Sequence, residues 1–400
     1  MRSIALGIWI DSGSRSEPES QAGISHFIEH LLFKGTDHYS AYDIARIFDE
    51  MGGEPNAATS KEQTFVHARF LDEHLERAFA VLAEMVTRPA FSNLDAEREV
   101  VLEEVAMYED SPPELIHDHL TEAVFGEHPL GRAIIGRAET LRAQDHAAVA
   151  AYHAAHYVNP AMVIAAAGNV DHERLCGLAA QHFPQASTVT APVVLAVPHE
   201  PRHVAVFTQK DTEQYHVCLG GPALKRDDPR RFALWVVDTL LGGSWSSRLF
   251  QEVRDERGLA YSVYSYTSLY SDAGLTAVYF GSREEGVGEA LRLILAELSS
   301  VVEHVPDEEI ERAKNHLKGS LVLSMESPHS RMQSIGRSVL CGIPILTLDE
   351  MLAQIDAVGA DDVARVAAEL YATSSWSAAC IGPKPDQYRS ILEEFTWSPR

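Results

Sequence analysis

The chain has 400 residues, of which 46% are hydrophobic, and its 33 Lys and Arg against 58 Asp and Glu give a formal net charge of −25. At roughly 150 residues per domain this length predicts two or three domains, and the ordinary apolar fraction argues against long disorder. The acidic excess argues against nucleic acid or an anionic membrane as the main partner, because phosphate groups would be repelled.

Cysteine use and apolar runs indicate the compartment. The four cysteines are scattered without a Cys-x-x-Cys pair, which predicts neither a disulfide framework nor a cysteine-based zinc site. No apolar run reaches the ~18 residues of a membrane span, and the first residues lack the apolar core of a signal peptide. We therefore expect a reduced, cytoplasmic setting without a membrane segment.

The predicted elements mix strands with long helices. A strand over Ser3–Ile10 comes first, and Ser20–Phe33 follows with apolar residues at helical spacings. The later predicted elements are a helix over Ala41–Met51, two strands within Asn56–Leu71, helices over His74–Val86 and Asn93–Tyr108, and a buried strand over Met162–Gly168. Because regular βαβ spacing is missing, the pattern favours an α+β fold over a doubly wound sheet.

The second half of the chain repeats the pattern of the first. The order helix, proline, helix, Ser-Pro pair occurs twice, and the pairs Ser111-Pro112 and Ser327-Pro328 are 216 residues apart. Prolines among small apolar residues between the halves predict an extended linker. We therefore expect a duplicated domain, with boundaries at residues 1–185 and 200–400 and a linker over residues 186–199.

The segment His26-Phe27-Ile28-Glu29-His30 carries the strongest chemical signal. On a helix His26 and His30 lie four residues apart on one face, the spacing at which two imidazoles bind a single Zn²⁺. Glu29 lies near that face, where a carboxylate can take a proton from water. The alternative is the polar face of a surface helix, but the apolar residues on both sides favour a packed helix.

A two-histidine site needs a third protein ligand, and the helix predicted over Asn93–Tyr108 is rich in glutamate. Glu97 and Glu104 are seven residues apart, about two turns, so both point the same way. Apolar residues lie between them, and a buried carboxylate is costly unless it is paired or binds a metal. A solvated acidic face explains the other glutamates better, namely Glu99, Glu103 and Glu109.

Three segments resemble the inverted-motif zinc metallopeptidases, the family of pitrilysin, insulin-degrading enzyme and mitochondrial processing peptidase. They are HFIEHLLFKGT (His26–Thr36), EREVVLEE (Glu97–Glu104) and SSRLFQEVRDERGLAYSVY (Ser246–Tyr264). The resemblance extends over essentially the whole chain and is strongest to short two-domain bacterial members. It implies an α+β fold of two homologous domains, each an antiparallel sheet packed with helices, that face each other as a half-shell.

The resemblance also implies the metal site. It implies that His26, His30 and Glu104 hold one Zn²⁺ per chain. Glu29 would be the general base, and Glu97 would support the ligands from outside. The second half would hold no metal, because its matching positions carry Leu234, Val237, Asp238 and Ser320.

Residues that contact a peptide are implied as well. Arg254 would anchor the substrate backbone, and Tyr261 would donate a hydrogen bond to the oxyanion or the scissile carbonyl. Without the resemblance, a tyrosine in so aromatic a strand is more often a packing residue. The segment Asn56-Ala57-Ala58 would add an extended peptide to the sheet edge, and Phe33 would line the pocket beside the scissile bond.

The sequence thus predicts a zinc endopeptidase that hydrolyses unfolded or short peptides, preferably basic ones if acidic residues line the chamber. Two repeats make half the shell of four-repeat relatives, which implies pairing with an identical or a related chain. The alternatives are a protease that removes leader peptides and a non-catalytic subunit of a peptidase-like heterodimer. The family's usual strand before Ser3–Ile10 is missing, so Met1 is expected to be internal to a longer natural chain or the first sheet to lack an edge.

Overall fold

The computed structural model describes residues 2–183, 203–372 and 376–397, and the linker predicted over residues 186–199 lies outside them. The chain divides into two compact units. The first comprises Met1–Met107, Arg132–Ala196 and Leu323–Ile345, and the second comprises Tyr108–Gly131, Val197–Val322 and Leu346–Arg400. Leu323–Ile345, from the second half of the sequence, belongs to the first unit, and Tyr108–Gly131, from the first half, belongs to the second unit. The domains predicted over residues 1–185 and 200–400 are continuous and do not contain this exchange.

The strands in the described ranges are β1 (Ser3–Ile10), β2 (Glu54–Thr59), β3 (Thr64–Leu71), β4 (Met162–Gly168), β5 (Ala205–Gln209), β6 (Tyr215–Pro222), β7 (Ala260–Leu269), β8 (Gly274–Ser282) and β9 (Ser377–Gly382). The helices there are α1 (Ile24–Leu32), α2 (Ala41–Glu50), α3 (Leu75–Thr87), α4 (Leu94–Glu109), α5 (Pro112–Phe125), α6 (Ala138–Ala143), α7 (His146–His156), α8 (His172–His182), α9 (Arg231–Leu241), α10 (Glu284–Glu303), α11 (Asp307–Ser324), α12 (Pro328–Leu340), α13 (Leu348–Asp356), α14 (Ala360–Leu370) and α15 (Arg389–Trp397). None of these helices combines the length and the apolar character that a membrane crossing requires.

The sheet of the first unit is antiparallel, with strand order β2-β3-β1-β4. On one face Leu6 and Ile8 of β1 pack in a core shared with α1 and α3. On the other face Trp9 packs with Met332 of α12. Strand β1 is therefore buried on both faces, which explains why its sequence is apolar throughout rather than alternating.

The sheet of the second unit has the order β5-β9-β6-β8-β7. Its core face packs against α9, α10 and α14, and its other face is covered by Ile116, Leu120 and Val124 of α5. The sheet departs from the predicted antiparallel arrangement in one pair, because β5 and β9 run parallel. Most of the unit separates these two strands in the sequence, which leaves ample chain for the crossover that a parallel pair requires.

Helices α5 and α12 lie in the two exchanged segments, α5 in the second unit and α12 in the first. The two helices begin at corresponding positions of the sequence repeat. Each starts with the proline of a repeated Ser-Pro pair, Pro112 in α5 and Pro328 in α12. A proline at the first helical position lacks only an N–H that would have no intrahelical partner. The repeat identified in the sequence thus marks, in both units, the helix that closes the outer face of the sheet.

Helix α1 is shorter than the helix predicted over Ser20–Phe33. It begins at Ile24, and a short 3₁₀ turn at Glu19–Gln21 precedes it. Gly23 separates the two with φ of 93°, a left-handed conformation that L residues with a side chain rarely adopt. The later start leaves His26 and His30 within α1.

Helix α12 approaches the sheet so closely that its contact depends on a glycine. A Cβ atom at Gly336 would lie 2.5 Å from ring atoms of Trp9. Helix propensity alone predicts that Gly336→Ala stabilises by about 1 kcal/mol, but overpacking of this kind costs about 1–3 kcal/mol. We expect Gly336→Ala to lower the free energy of unfolding, measured by urea denaturation.

Gly319 in α11 provides the matched control, because a Cβ there would meet nothing within 4 Å. Gly319→Ala should raise the free energy of unfolding by about 0.5–1 kcal/mol. Stabilisation by both substitutions would contradict the close contact between α12 and Trp9.

Candidate metal centre

A buried carboxylate, that of Glu17, binds backbone N–H groups at the start of helix α1. The side chain of Glu17 accepts the backbone N–H groups of Gly23 and Ser25, each at 2.8 Å. Amide groups at a helix start have no partner within the helix, and the helix dipole favours negative charge there. Arg132 donates from Nη2 to the backbone carbonyl of Glu17 at 2.5 Å. The first turn of α1, which carries His26, is thereby fixed by Glu17, whose backbone is in turn held by Arg132.

His26 and His30 lie on one face of α1, with ring centroids 4.8 Å apart. Glu104 of α4 faces both rings: its oxygens lie 3.7 Å from His26 Nε2 and 3.3 Å from His30 Nε2. Among the described residues this is the one group of three His, Cys, Asp or Glu residues whose ligand atoms lie mutually within 4.8 Å. Neighbouring ligand atoms of a tetrahedral zinc ion are about 3.3 Å apart, so the donor set and its spacing fit zinc.

Glu97 lies directly behind His30. Its Oε1 is 2.9 Å from His30 Nδ1, and its Oε2 is 2.7 Å from Lys34 Nζ. A carboxylate that accepts Nδ1–H selects the imidazole tautomer whose Nε2 is free to bind a metal. The Nδ1 atom of His26 has no hydrogen-bond partner in the described part of the chain, so Glu97 orients one of the two rings.

Charge in this region also favours a cation. Three carboxylates, those of Glu29, Glu97 and Glu104, lie around the two histidines, and the ammonium of Lys34 pairs with one of them. Burial, reinforced by His30, lowers the pKa of His26 to about 4, so its ring is neutral and available as a ligand. The three carboxylates and one ammonium carry a formal charge of −2, which a divalent ion would balance.

Glu29 is held on the same helix by a strand of the sheet. Its Oε2 accepts the hydroxyl of Thr59, at the end of β2, at 2.5 Å. Burial raises the pKa of Glu29, whereas the hydrogen bonds from Thr59 and the charge of His30 lower it. The structure thus places Glu29 beside the three candidate ligands with one of its oxygens already bonded.

The residues expected to bind a peptide in the first unit lie on strand β2 and just after helix α1. Strand β2 is an edge strand of its sheet, with Asn56 and Ala58 exposed and Ala57 buried. The side-chain oxygen of Asn56 accepts the backbone N–H of Ala57 at 2.9 Å. Phe33, directly after α1, is half-buried and packs against the core of the first unit. The structure therefore leaves a backbone edge at β2, and Phe33 contacts the core with part of its side chain while the rest stays exposed.

Arg254 and Tyr261 come together within the second unit. Arg254 belongs to a π-helical turn, Phe250–Asp255, and its Cζ atom lies 4.9 Å from the ring centroid of Tyr261 and 4.6 Å from that of Phe250. Tyr261, near the start of β7, is 76% exposed. Both distances are within the range of a cation–π contact, which restrains the position of the guanidinium.

The sequence did not indicate a functional role for three residues that the structure places around the candidate site: Glu17, Lys34 and Thr59. Lys34 and Thr59 lie close in sequence to residues already selected, His30 and the segment Asn56-Ala57-Ala58, and this proximity was the available signal. Nothing in the local pattern distinguishes Glu17 from an ordinary surface glutamate.

The chain belongs to the peptidase M16 family. The family model described as insulinase (peptidase family M16) matches residues 2–138, and the model described as the peptidase M16 inactive domain matches residues 145–317. An uncharacterized zinc protease of Streptomyces coelicolor is 42% identical, over 98% of this chain and 88% of the relative. A probable mitochondrial-processing peptidase subunit beta of Arabidopsis thaliana is 32% identical, over 99% of this chain and 78% of the relative.

Solved structures share the fold. A protease from Helicobacter pylori superposes with a TM-score of 0.89 at 21% identity, over 96% of this chain and 94% of that one. A peptidase M16 inactive domain from Pseudomonas fluorescens gives 0.88 at 23% identity, over 96% and 93%. These two likenesses establish the α+β architecture of two sheets packed with helices.

The carboxylate at the start of α1 leads to a pH-dependent stability. Burial raises the pKa of Glu17 from 4.5 to about 7, although its hydrogen bonds from Ser25 and Gly23 and the charge of Arg132 lower it. Between these two values the folded chain holds a proton that the unfolded chain releases. The contribution of Glu17 to stability is therefore complete at low pH and is lost as the pH rises through about 7.

Glu17→Gln isolates this effect, because an amide does not ionise. The difference in free energy of unfolding between wild type and Glu17→Gln should shift by about 2 kcal/mol in favour of the variant as the pH rises from about 5 to about 7. Chemical denaturation of both proteins at both pH values measures the shift. A difference that is independent of pH would contradict the raised pKa.

Proposed function

We propose that this chain is a zinc-dependent endopeptidase whose zinc ligands are His26, His30 and Glu104. The observation that carries the proposal is the convergence of these side chains from α1 and α4, with ligand atoms mutually within 4.8 Å. The local formal charge and the hydrogen bond between Glu97 and His30 support it. The relatives named zinc proteases support zinc as the metal.

In the proposed reaction Glu29 is the general base: it takes a proton from the attacking water and passes it to the leaving amine. His26, His30 and Glu104 would hold the zinc ion, which would supply Lewis acidity to lower the pKa of water and polarise a carbonyl. Glu97 keeps His30 in the required tautomer. One zinc ion per chain is expected, because the second half lacks the ligand residues, for example with Leu234 in place of a histidine.

The substrate is an extended peptide that adds to the edge of the first sheet. The backbone of Asn56-Ala57-Ala58 would pair with it, and the exposed small side chain of Ala58 leaves room for its approach. Arg254 would hold the peptide backbone, and Tyr261 would donate a hydrogen bond to the developing oxyanion. Edge pairing requires an unfolded or short peptide.

The net charge of −25 would favour basic peptides if the acidic residues line the substrate chamber. The relative named as a mitochondrial-processing peptidase subunit favours removal of leader peptides as the specific activity, together with an identical or related partner chain. Cleavage rates of basic and acidic peptides of equal length separate these possibilities from general degradation. Equal rates on both sets would count against a preference for basic leaders.

Substitution of the general base and of a ligand tests the proposed mechanism. Glu29→Gln should keep zinc and lose at least about 100-fold in kcat, since general-base catalysis contributes about 10²–10⁴. His30→Ala should lose both zinc and activity. Zinc content by elemental analysis and cleavage of an internally quenched peptide, on the same full-length preparations, provide the two readouts.

The unsubstituted chain is the control for this test. Wild type that binds zinc and cleaves the peptide, beside an inert Glu29→Gln that binds as much zinc, agrees with the mechanism. Wild type without bound zinc would overturn the assignment of the ligands, and the non-catalytic subunit would then be the better interpretation.

Lys34 provides a further test through the zinc affinity. Its ammonium lies 2.7 Å from the Glu97 oxygen that does not bond His30. Lys34→Met would leave Oε2 of the buried Glu97 carboxylate without its cationic partner, and we expect zinc to bind about 10–100-fold more weakly, the usual cost of removing an outer partner. Competition with a chromophoric chelator measures the dissociation constant.

Lys34→Arg keeps the positive charge and should retain most of the affinity. Lys318→Met is the matched control, because Lys318 forms a comparable ion pair with Asp356 at 2.6 Å in the second unit. Equal zinc affinities for Lys34→Met and Lys318→Met would show that Lys34 does not support the site.

A further inference from the structure

The side chain of Thr59 forms a hydrogen bond with the carboxylate of Glu29. Thr59 is the last residue of β2, and its hydroxyl donates to Oε2 of Glu29 at 2.5 Å. A hydrogen bond to a carboxylate is stronger and more directional than one between neutral groups. The side chain of Thr59 therefore fixes one oxygen of Glu29.

The register of β2 determines that Thr59 points at α1. Successive side chains of a strand alternate between the two faces of the sheet. Ala57 is buried in the core that β2 shares with α1, and Thr59 lies two residues further on the same face. Asn56 and Ala58 take the opposite face. The strand thus offers its backbone edge to a peptide and the hydroxyl of Thr59 to the base.

The chain after Thr59 is held firmly. Ser60 and Gln63 close the turn between β2 and β3, with Ser60 N donating to Gln63 O at 2.8 Å. The loop after β1 fastens this turn, because Ser14 N donates to Ser60 O at 3.1 Å. The approach is so close that a Cβ at Gly13 would lie 2.2 Å from Ser60 O. Thr59 is therefore placed by the sheet and the turn, independently of α1.

We propose that Thr59 is a positioning residue that aligns Glu29 for proton transfer and couples it to the peptide-binding edge of β2. The proposal rests on the proposed function. Because the sheet and the turn already fix Thr59, its hydrogen bond holds the Glu29 carboxylate at a set position relative to the edge where a peptide would add. The base and the peptide-binding edge then belong to one rigid frame, which is a form of orientational catalysis.

Thr59→Val removes the hydroxyl and keeps the shape of the side chain. We expect kcat for an internally quenched peptide to fall about 10- to 100-fold, since a small misplacement of a catalytic group has this effect. Zinc content should stay at the wild-type level. In the Glu29→Gln background, the dissociation constant of the same peptide should change less than about twofold on adding Thr59→Val, because the hydroxyl contacts the base and not the peptide.

Thr59→Ser keeps the hydroxyl and should retain kcat within about threefold of wild type. Thr64→Val is the matched control: Thr64 pairs with Thr59 across the strands, and its hydroxyl donates to the carbonyl of Ser12 at 2.9 Å instead. Thr64→Val should keep the wild-type kcat. If Thr59→Val does not fold, as judged by its melting curve, Thr59→Ala removes the same hydroxyl without a branched side chain and takes its place.

The outcomes separate this inference from the proposed function. Low kcat in Thr59→Val with rescue in Thr59→Ser supports the positioning role. Wild-type kcat in Thr59→Val, equal loss in Thr59→Ser, or loss of zinc from Thr59→Val would each overturn it while wild type and Glu29→Gln still establish the peptidase. An inert wild type would overturn the proposed function and this inference with it.

Discussion

Strand β1 imposes the constraint on which the first unit depends. It is apolar on both faces, so neither face can be left to water, and α1 with α3 covers only one of them. The other face is closed by α12, whose residues come from far along the chain. Small residues make that contact possible, since Gly7 and Gly336 both lie against the Trp9 ring. The support of the candidate metal centre therefore includes a segment that a cut between the sequence halves would remove.

The candidate metal centre shows why its acidic residues occur together. The buried carboxylate of Glu97 is costly unless something positive joins it, and the side chain of Glu104 is 46% exposed. Lys34 pairs with Glu97, whereas Glu104 faces two imidazoles of which His26 is neutral. A cation bound by Glu104 and the histidines would compensate this charge. At the matching positions of the second unit two apolar side chains, Leu234 and Val237, are fully buried in its core.

The sequence was sufficient for features that depend on local spacing. The position of His26 and His30 on one helix face and the two-turn separation of Glu97 and Glu104 follow from helical geometry, and the structure brings three of these side chains together. The exchange of α5 and α12, the parallel pair β5–β9 and the bond between Thr59 and Glu29 depend on tertiary packing, which no local pattern encodes. The start of α1 was misplaced because the turn at Gly23 depends on the carboxylate of Glu17, six residues earlier.

Helix α1 brings these contributions together over a few residues. Glu17 holds its start, Thr59 holds Glu29, and Glu97 holds His30. These three groups come from a loop, a strand and another helix, so no single element determines the geometry of the site. Each support contacts a different part of the helix, namely its first backbone amides, the Glu29 carboxylate and the His30 ring, so loss of one should disturb that part while the others persist. A helix carrying two candidate ligands and a candidate base within five residues is thus held from outside at its start, at Glu29 and at His30, whereas Nδ1 of His26 has no hydrogen-bond partner among the described residues.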